Sequence, residues 1–450
     1  MTKKKWFLLI LIILIIVGWY FLFYKTYSRK DIAKSADMVL CIDVKRNTNT
    51  ILAYFITTPS EWDLGSLFRR RNKNEFDWKN AVKIPDYIFI FHSKDQPADA
   101  WYTVLTIKDE DEFKRGLNEY EFKAEDKDEY TSGKLGLDII KSGDRILLGN
   151  FNVKDKHFIY AVANEIFDKQ DYIEEATIKK IIAPSNHFSI FIEKNDFLQE
   201  DLILNGNFNT GEMLVDADIR PGAKFPFNES SFNLHDQSLL NVAFTQPSPQ
   251  VYNLIPAETK SSVSKILNFN IDSLFNSQNN KYLLDIQGIK TRADSAITYT
   301  YDDDFNKVEK MVVNNVQEPS FNFSVYKNGV SSLIEYWKRN KNIEGDSSLF
   351  VSVPFVKTYA YDKKDAVSLT SSNYTDVGES MPFTGIGYLE LNPGKIPPDL
   401  LKFLPDPLIS VVQKFNSLKI ISTKQNDIVK LTVSLTSKVA NKPFLLSVRN

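Results

Sequence analysis

Hydrophobic positions are distributed unevenly along this chain, and its first thirty residues hold the strongest pattern. Residues 6–24 form an apolar run without a charged side chain. A helix rises about 1.5 Å per residue, so this run spans roughly 28 Å, close to the hydrocarbon thickness of a bilayer. It is apolar on every side, unlike a core helix, and is longer than the hydrophobic region of a cleaved signal peptide. The pattern predicts a retained transmembrane helix, with aromatic interface anchors at Trp6, Trp19, Tyr20 and Tyr24.

Basic residues flank the apolar run on both sides and bear on its orientation. Lysines occupy positions 3–5, and four basic residues follow the run: Lys25, Arg29, Lys30 and Lys34. A short basic tail stays in the cytoplasm, whereas a long following domain is translocated largely regardless of its charge. We therefore predict a cytoplasmic tail at 1–5, a transmembrane helix at 6–24, a juxtamembrane linker at 25–35 and an extracytoplasmic (periplasmic) body. A cytoplasmic body is the alternative, because the two flanks are nearly balanced.

Beyond residue 35 the pattern changes to short alternating runs, which are typical of β-strands separated by turns. Residues 137–140 and 145–148 flank a turn tetrapeptide and predict a hairpin, and residues 358–361 and 366–369 repeat that plan. Several other strand or strand–helix units of the first half recur in the same order in the second half. We therefore predict two copies of one domain, at 36–222 and 236–450, joined by a linker at 223–235. The alternative is coincidence, because strand–turn–strand patterns are common.

Consecutive hairpins interrupted by a few helices also predict the fold class. We expect an α+β fold in which each copy is a mainly antiparallel, curved sheet with helices packed on one face. The aromatic content of 13% favours such sheet-rich packing.

Composition narrows the classes of partner. The net charge of −2, with 25% charged residues, provides no basic excess for a polyanion, so we predict no nucleic-acid partner and no extensive disorder. The single cysteine, Cys41, excludes an intramolecular disulfide. Because Cys41 lies in an alternating apolar run, we interpret it as a buried structural thiol.

Residues that could carry chemistry are isolated in the sequence. The four histidines lack the spacing of paired metal ligands, and neither a glycine-rich phosphate loop nor a nucleophile motif is present. The carboxylates at 302–304 could bind Ca²⁺, but a hairpin turn between residues 297–301 and 310–313 is the simpler interpretation. We predict no catalytic residue, no cofactor and no metal.

One cationic stretch stands out after the apolar run. It could contact anionic lipid headgroups or an acidic polymer, and its basic residues are Arg69, Arg70, Arg71 and Lys73. A solvated loop is the alternative interpretation.

The layout of the chain resembles that of uncharacterised bacterial single-pass envelope proteins. The matching features are the opening segment at 35–43, the Ser142-Gly143-Asp144 hairpin and the late stretch at 431–446. Those families have no known function, so the resemblance implies location and architecture and transfers no active-site residue.

Three hypotheses of function follow. The first is a non-catalytic binding or scaffolding protein, tethered to the bilayer through residues 6–24, whose partners are other envelope proteins or lipids. The second is a carrier or chaperone for lipid or lipoprotein acyl chains in a sheet-lined apolar groove. The third is a carboxylate-dependent hydrolase whose acidic residues meet only in the fold.

Overall fold

The computed structural model describes residues 20–448, apart from these positions: 21, 62–75, 127, 151–155, 224–226, 237, 246–251, 254, 268–269, 276–280, 302–304, 327–330, 345–347, 354–355, 364, 373, 375–379, 402–408 and 410–411. The strands are β1 Ala36–Asp43, β2 Val82–Lys83, β3 Tyr87–Ser93, β4 Tyr102–Ile107, β5 Lys123–Asp126, β6 Glu129–Ser132, β7 Leu137–Ser142, β8 Arg145–Asn150, β9 Phe188–Ile192, β10 Leu202–Phe208, β11 Glu212–Ile219, β12 Ser230–His235, β13 Leu240–Thr245, β14 Lys281–Tyr301, β15 Lys307–Tyr326, β16 Leu349–Phe350, β17 Thr358–Lys363, β18 Ala366–Ser371, β19 Ser380–Gly385, β20 Gly387–Leu391, β21 Phe415–Gln425 and β22 Ile428–Ser437.

The α-helices are α1 Val44–Thr57, α2 Trp78–Ala81, α3 Glu110–Glu119, α4 His157–Ala163, α5 Glu175–Ile182, α6 Ala257–Leu267, α7 Asp272–Phe275, α8 Ser331–Arg339, α9 Pro398–Leu401 and α10 Phe444–Ser447. Short 3₁₀ turns lie at Arg29–Asp31, Pro59–Glu61 and Pro393–Lys395, and a π turn at Asn164–Asp168 follows α4. Side-chain caps explain where two of the helices begin. Asp43 accepts a hydrogen bond from the Arg46 amide at the start of α1, and Asp109 accepts from the Asp111 and Glu112 amides at the start of α3.

The chain divides into two compact units. Unit 1 contains the residues up to 195, together with 200–210 and 441–446, and unit 2 contains 196–199, 211–440 and 447–450. The strand pairings of the described residues given below are all antiparallel. The strand order in unit 1 is β10-β9-β1-β3-β4-β8-β7-β6-β5, with β2 paired to β4.

The strand order of unit 2 follows a similar plan. It runs β11-β22-β21-β20-β13-β14-β15-β18-β17-β16, and β12 pairs with β19 in a separate two-stranded sheet. In unit 1, β1 lies between β9 and β3, and α3 follows β4; in unit 2, β13 lies between β20 and β14, and α8 follows β15. A duplication predicts this recurrence, while common descent of the two halves stays a prediction.

The predicted fold class is wrong. Strands account for 47% and helices for 26%, so the fold is mostly antiparallel sheet rather than α+β, and no described helix is long and apolar enough to be the transmembrane helix that the prediction placed before the sheets. Part of the strand content lies in β14 and β15, which pair with each other over their whole length. Beyond the residues that also pair with β13 and β18, they continue as a two-stranded arm. The arm confirms the predicted hairpin around residues 302–304, since Ile297 pairs with Met311. The expected placement of helices on one face also fails in unit 1, where helices cover both faces.

Two apolar clusters account for this double covering of unit 1. On one face, Val104 and Leu147 pack in a cluster with residues of α4 and α5; on the other, Leu105 and Ile146 lie in a cluster with residues of α3. Unit 2 has its main cluster on a single face, where α8 contributes Leu333 and Trp337. Strand pairs in unit 1 are therefore buried on both sides, as in a three-layer arrangement.

The predicted localisation requires correction. Within the part of the chain that the structure describes, no helix has both the length and the apolar character needed to cross a membrane. This finding contradicts the predicted single-pass anchor and the cell-membrane localisation derived from it. Residues 1–19 and 21, which make up most of the predicted span at 6–24, lie outside the described residues.

The predicted linker at 25–35 is packed into unit 1. The Thr26 amide donates to Asp86 at 2.7 Å, Lys25 forms an ion pair with Asp43, and Ile32 and Ala33 are fully buried. These contacts hold the start of the described chain against the first sheet.

Candidate functional site

Of the residues singled out from the sequence as membrane-interface anchors or cationic contacts, the structure describes Tyr20 and Tyr24. Tyr20 and Tyr24 stack on each other with ring centroids 4.6 Å apart, and about half of each side chain is exposed. The other predicted interface anchors and the predicted cationic contact lie outside the described residues: Trp6, Trp19, Arg69, Arg70, Arg71 and Lys73. The carboxylates at 302–304 lie outside them as well.

Neither a metal centre nor a reactive thiol is found in the described part of the chain. No group of three or more His, Cys, Asp or Glu residues is placed there to hold a metal ion. Cys41 is buried, and burial raises the pKa of its thiol to about 12, which is the environment of an inert structural cysteine.

His187 is a structural residue of unit 1. Its Nδ1 accepts a hydrogen bond from the Phe208 amide at 3.2 Å, and its Nε2 lies 2.8 Å from the Thr50 hydroxyl. This pattern fits a neutral ring with its proton on Nε2. Burial, assisted by the positive charge of Arg46, lowers the pKa of His187.

Acid should therefore destabilise unit 1 through His187. The folded state holds the ring neutral and the unfolded chain protonates it, so this contribution to stability is present above pH 6.5 and is lost as the pH falls. One proton is involved, so the slope cannot exceed about 1.4 kcal/mol per pH unit. Chemical denaturation at pH 7.5 and 5.5 should show a smaller loss for His187→Gln than for wild type. The control His157→Gln changes an exposed ring and should leave the pH dependence unchanged; an equal effect of both variants would contradict the assignment.

A groove of about 820 Å³ in unit 2 is the candidate binding site. Its floor is one face of four neighbouring strands, β14, β15, β18 and β17, and the strand register places the residues of this face in three rows. From β14 to β17, the first row is Leu283, Ser324, Ser368 and Tyr361. In the same order, the second row is Asp285, Asn322, Thr370 and Tyr359, and the third row, on the other side of the first, is Lys281, Tyr326, Ala366 and Lys363.

The small polar residues of the floor form a connected ladder. The Ser324 and Ser368 hydroxyl oxygens lie 2.8 Å apart. Asn322 donates from Nδ2 to the Ser324 hydroxyl at 3.1 Å, and its Oδ1 accepts from the Thr370 hydroxyl at 2.9 Å. The Asn322 amide is thereby held in one orientation.

Sequence alternation explains why these strands have one polar and one apolar face. Successive side chains of a strand point to opposite faces, so alternating residues sort into two sets. The residues of the opposite face belong to the core cluster that contains Leu333 and Trp337 of α8, and they are Tyr282, Val325, Val367 and Leu369. The core therefore fixes the strands without using the groove face.

The corresponding face of unit 1 has no groove among the described residues and carries apolar side chains instead. Leu105 pairs with Ile146 beneath α3 as Val325 pairs with Val367 beneath α8. The next pair along these strands is Val104 with Leu147 in unit 1 and Ser324 with Ser368 in unit 2. Val104 and Leu147 therefore occupy the positions that correspond to Ser324 and Ser368. Val104 and Leu147 are buried in the cluster that includes α4 and α5.

The connections between strands account for this difference. In unit 1 the segment between β8 and β9 carries α4 and α5, which cover the face. In unit 2 the segment between β18 and β20 is shorter and carries β19, whose small sheet with β12 packs near Leu283 and Tyr388. Over β15, β18 and β17, the described residues leave the rest of that face open as the groove.

A buried carboxylate anchors one end of the groove. Asp285 is fully buried and accepts hydrogen bonds from the Ser238 hydroxyl and, at 3.0 Å, from the Tyr374 hydroxyl. His235 Nε2 lies 3.9 Å from Asp285 Oδ2. Because each Asp285 oxygen accepts a hydrogen bond from a side chain of the protein, we interpret Asp285 as a structural acceptor that fixes Tyr374 and His235 at the groove.

Tyrosines form the other end. Tyr359 and Tyr361 are two residues apart on β17, with ring centroids 6.3 Å apart, and Tyr361 is 45% exposed. Asp365 also lines the groove, and no lysine or arginine is among the described residues that do. The site is therefore polar, partly aromatic and without a cationic group in its described lining.

Unit 1 has a smaller cavity, of about 280 Å³, whose charged residues are engaged with one another. Arg145 donates to the Lys30 carbonyl and lies 3.6 Å from Asp31. Burial raises the pKa of Asp31 to about 6, although Arg145 opposes this. We interpret this cavity as a packing defect around an ion pair rather than a second binding site.

Strands of the groove are predictable from the sequence, whereas the groove itself is not. The hairpin at 358–361 and 366–369 is confirmed as β17 and β18. The pairing of β15 with β18, which brings Ser324 to Ser368, joins segments that are distant in the chain. The signal in the sequence was Ser, Asn or Thr at every second position of strands whose other residues are apolar.

Comparisons with known proteins add little to this geometry. No family model matches the chain, and no curated protein matches it. Two solved structures, crystal forms I and III of TP0453, align over 44% of this chain and 81% of the other at 11% identity. The TM-score of 0.27 in both cases is too low to support an inference about fold or function.

Proposed function

We propose that this chain is a non-catalytic binding protein and that the groove of unit 2 is its ligand site. The observation that carries the proposal is the polar lining of the groove: Ser324 and Ser368, which are buried in its floor, stand where unit 1 has the apolar pair Val104 and Leu147. An apolar pair is compatible with this sheet, so the polar residues are not demanded by the fold. Small, oriented polar groups on a concave surface are a property of ligand sites.

The lining also favours a polar ligand over an acyl chain. A lipid would leave the Asn322 amide and the Thr370 hydroxyl without water and without new partners, which costs free energy. The acyl-chain carrier is therefore the weaker candidate. The hydrolase is weaker still, because the buried Asp285 is engaged by Ser238 and Tyr374.

Isosteric removal of the accessible floor groups tests the proposal. The double variant Asn322→Leu/Thr370→Val deletes both members of one hydrogen bond and keeps their volumes, so the fold should tolerate it. We expect polar fragments that bind the wild type to bind this variant at least about tenfold more weakly, equivalent to about 1.4 kcal/mol. Ligand-observed NMR on the full chain with a library of sugars, amino acids, nucleosides and organic acids measures this.

A matched control lies elsewhere in unit 2. Ser417→Ala/Thr436→Val deletes another cross-strand hydroxyl pair, whose oxygens are 2.6 Å apart, outside the groove, and should leave fragment binding unchanged. If the first variant does not fold, Asn233→Trp takes its place. Asn233 is exposed and lines the groove, so a tryptophan there should narrow the groove and weaken fragment binding. Ser231→Trp, at an exposed position outside the lining, is its control. The absence of any groove-dependent fragment would contradict the proposal.

A further inference from the structure

We propose that the groove of unit 2 binds a neutral saccharide, an inference that rests on the proposed binding function. Three properties of the groove lead to this ligand class: the hydrogen-bonding capacity of its floor, the tyrosine rings at its edge, of which that of Tyr361 is exposed, and its charge.

The floor offers a donor and an acceptor side by side. A primary amide has two N–H groups and two carbonyl lone pairs. In the described part of the chain, Asn322 uses one N–H toward Ser324 and one lone pair toward Thr370. Its remaining N–H and lone pair come from the same planar group, which is fixed in orientation. Adjacent hydroxyls of a sugar ring, each both donor and acceptor, are complementary to such a pair.

Hydroxyl groups extend this pattern along the floor and the end of the groove. Thr370 is half-buried beside Asn322, and Tyr374 is fixed by its hydrogen bond to Asp285. A ligand with hydroxyls at regular intervals can reach the Asn322 amide and the Thr370 hydroxyl at once. An amino acid or a nucleobase presents fewer hydroxyls for the same length.

The edge of the groove supplies flat apolar surface. Tyr359 and Tyr361 stand in register with Thr370 and Ser368, so each ring adjoins a polar row of the floor. Their planes are inclined by only 35°. The C–H face of a sugar ring packs against an aromatic face while its hydroxyls point sideways, and this requires aromatic and polar groups next to each other.

Charge separates neutral from anionic ligands. The described lining contains Asp365 and no lysine or arginine, and Asp285 lies just beneath. A phosphate, sulfate or uronate would lose hydration beside Asp365, and the nearest described ammonium groups are already placed over tyrosine rings: Lys281 over Tyr326 at 4.5 Å and Lys357 over Tyr359 at 5.9 Å from the ring centroids. The ligand class is therefore an uncharged, hydroxyl-rich chain rather than an acidic one.

Calorimetric titration of the full chain with defined hexasaccharides tests this proposal. The neutral probes are maltohexaose, cellohexaose, mannohexaose and N-acetylated chitohexaose, and the charged probe is hexagalacturonate. We expect at least one neutral probe to bind and hexagalacturonate to bind at least about tenfold more weakly. Tyr361→Ala should weaken binding of the neutral probe about tenfold or more, and Tyr361→Phe should retain it within about threefold, because the ring face makes the contact.

The control and the outcomes separate this inference from the function on which it rests. Tyr299→Ala removes an exposed tyrosine of the arm, outside the groove lining, and should change nothing. If no hexasaccharide binds while another polar fragment binds in a groove-dependent manner, the saccharide assignment is overturned and the binding function stands. Saccharide binding that is insensitive to Tyr361→Ala overturns the assignment too. If neither saccharides nor fragments depend on the groove, both proposals fail.

Discussion

Replacing Trp337 by alanine is expected to lower the free energy of unfolding of unit 2 by about 3–5 kcal/mol. Trp337 is fully buried on α8, with its ring centroid 5.0 Å from that of Phe350. Removing the indole leaves a cavity between α8 and the sheet that carries the groove on its other face. The neighbouring strands can collapse into this space only in part, because their pairing holds them apart.

Chemical denaturation measures this loss of unfolding free energy, and hydrogen exchange of the β15 amides measures it in the sheet that packs against α8. The control is Glu335→Ala on the same helix, where an exposed carboxylate lies 3.8 Å from Arg339. An exposed pair of this kind contributes little, so the control should stay within about 0.5 kcal/mol of wild type. A loss below about 2 kcal/mol for Trp337→Ala would contradict a well-packed core at this position.

Gly211→Ala should have the second-largest effect, a loss of about 2–4 kcal/mol. Gly211 has a φ of +70°, and a Cβ there would lie 2.8 Å from both the Cα and the carbonyl oxygen of Ala440. Alanine therefore meets two penalties, the left-handed backbone and a collision with main-chain atoms that cannot rotate away. The Gly211 carbonyl also accepts from the Ser437 amide at 2.7 Å, at the end of the β11–β22 pairing.

Gly136→Ala separates the two penalties. Gly136 has a similar φ of +63°, and a Cβ added there would meet no atom within 4 Å in the described part of the chain. Only the backbone penalty of about 1–2 kcal/mol should apply there. Each variant is measured by denaturation against wild type, with exchange of the Ser437 amide as a local probe for Gly211→Ala. Equal losses for both variants would show that the contact with Ala440 relaxes without cost.

The fold was predictable where a pattern is local. Two short strand-like segments at 358–361 and 366–369, separated by the turn tetrapeptide 362–365, identified β17 and β18, because a hairpin turn is encoded by neighbouring residues. The helix that carries Leu333 and Trp337 was also predictable, because these two apolar residues are four positions apart and lie on the same helix face. The fold class failed because periodicity did not reveal how far β14 and β15 continue as a paired arm.

The candidate site could not be predicted in the same way. Ser324 and Ser368 each look like the solvent face of an ordinary strand, and Asp285 looks like an isolated carboxylate. What makes them a site is the pairing of β15 with β18 and the lack, among the described residues over the groove, of helices corresponding to α4 and α5. The histidines show the same limit: His187 is isolated in the sequence, yet in the fold Thr50 and the Phe208 amide bind its ring.

By itself, the sequence determined the antiparallel strands, several of their turns, the buried state of Cys41 and the recurrence of units along the chain. Each of these depends on residues close together in the chain, where side-chain period and turn chemistry act directly. Only the tertiary structure decided which strands are neighbours, which sheet face is left uncovered, and that Asn322, Thr370 and two tyrosines meet there. Those outcomes depend on the length of connecting segments and on packing between residues that are distant in the chain, and a local sequence pattern does not contain this information.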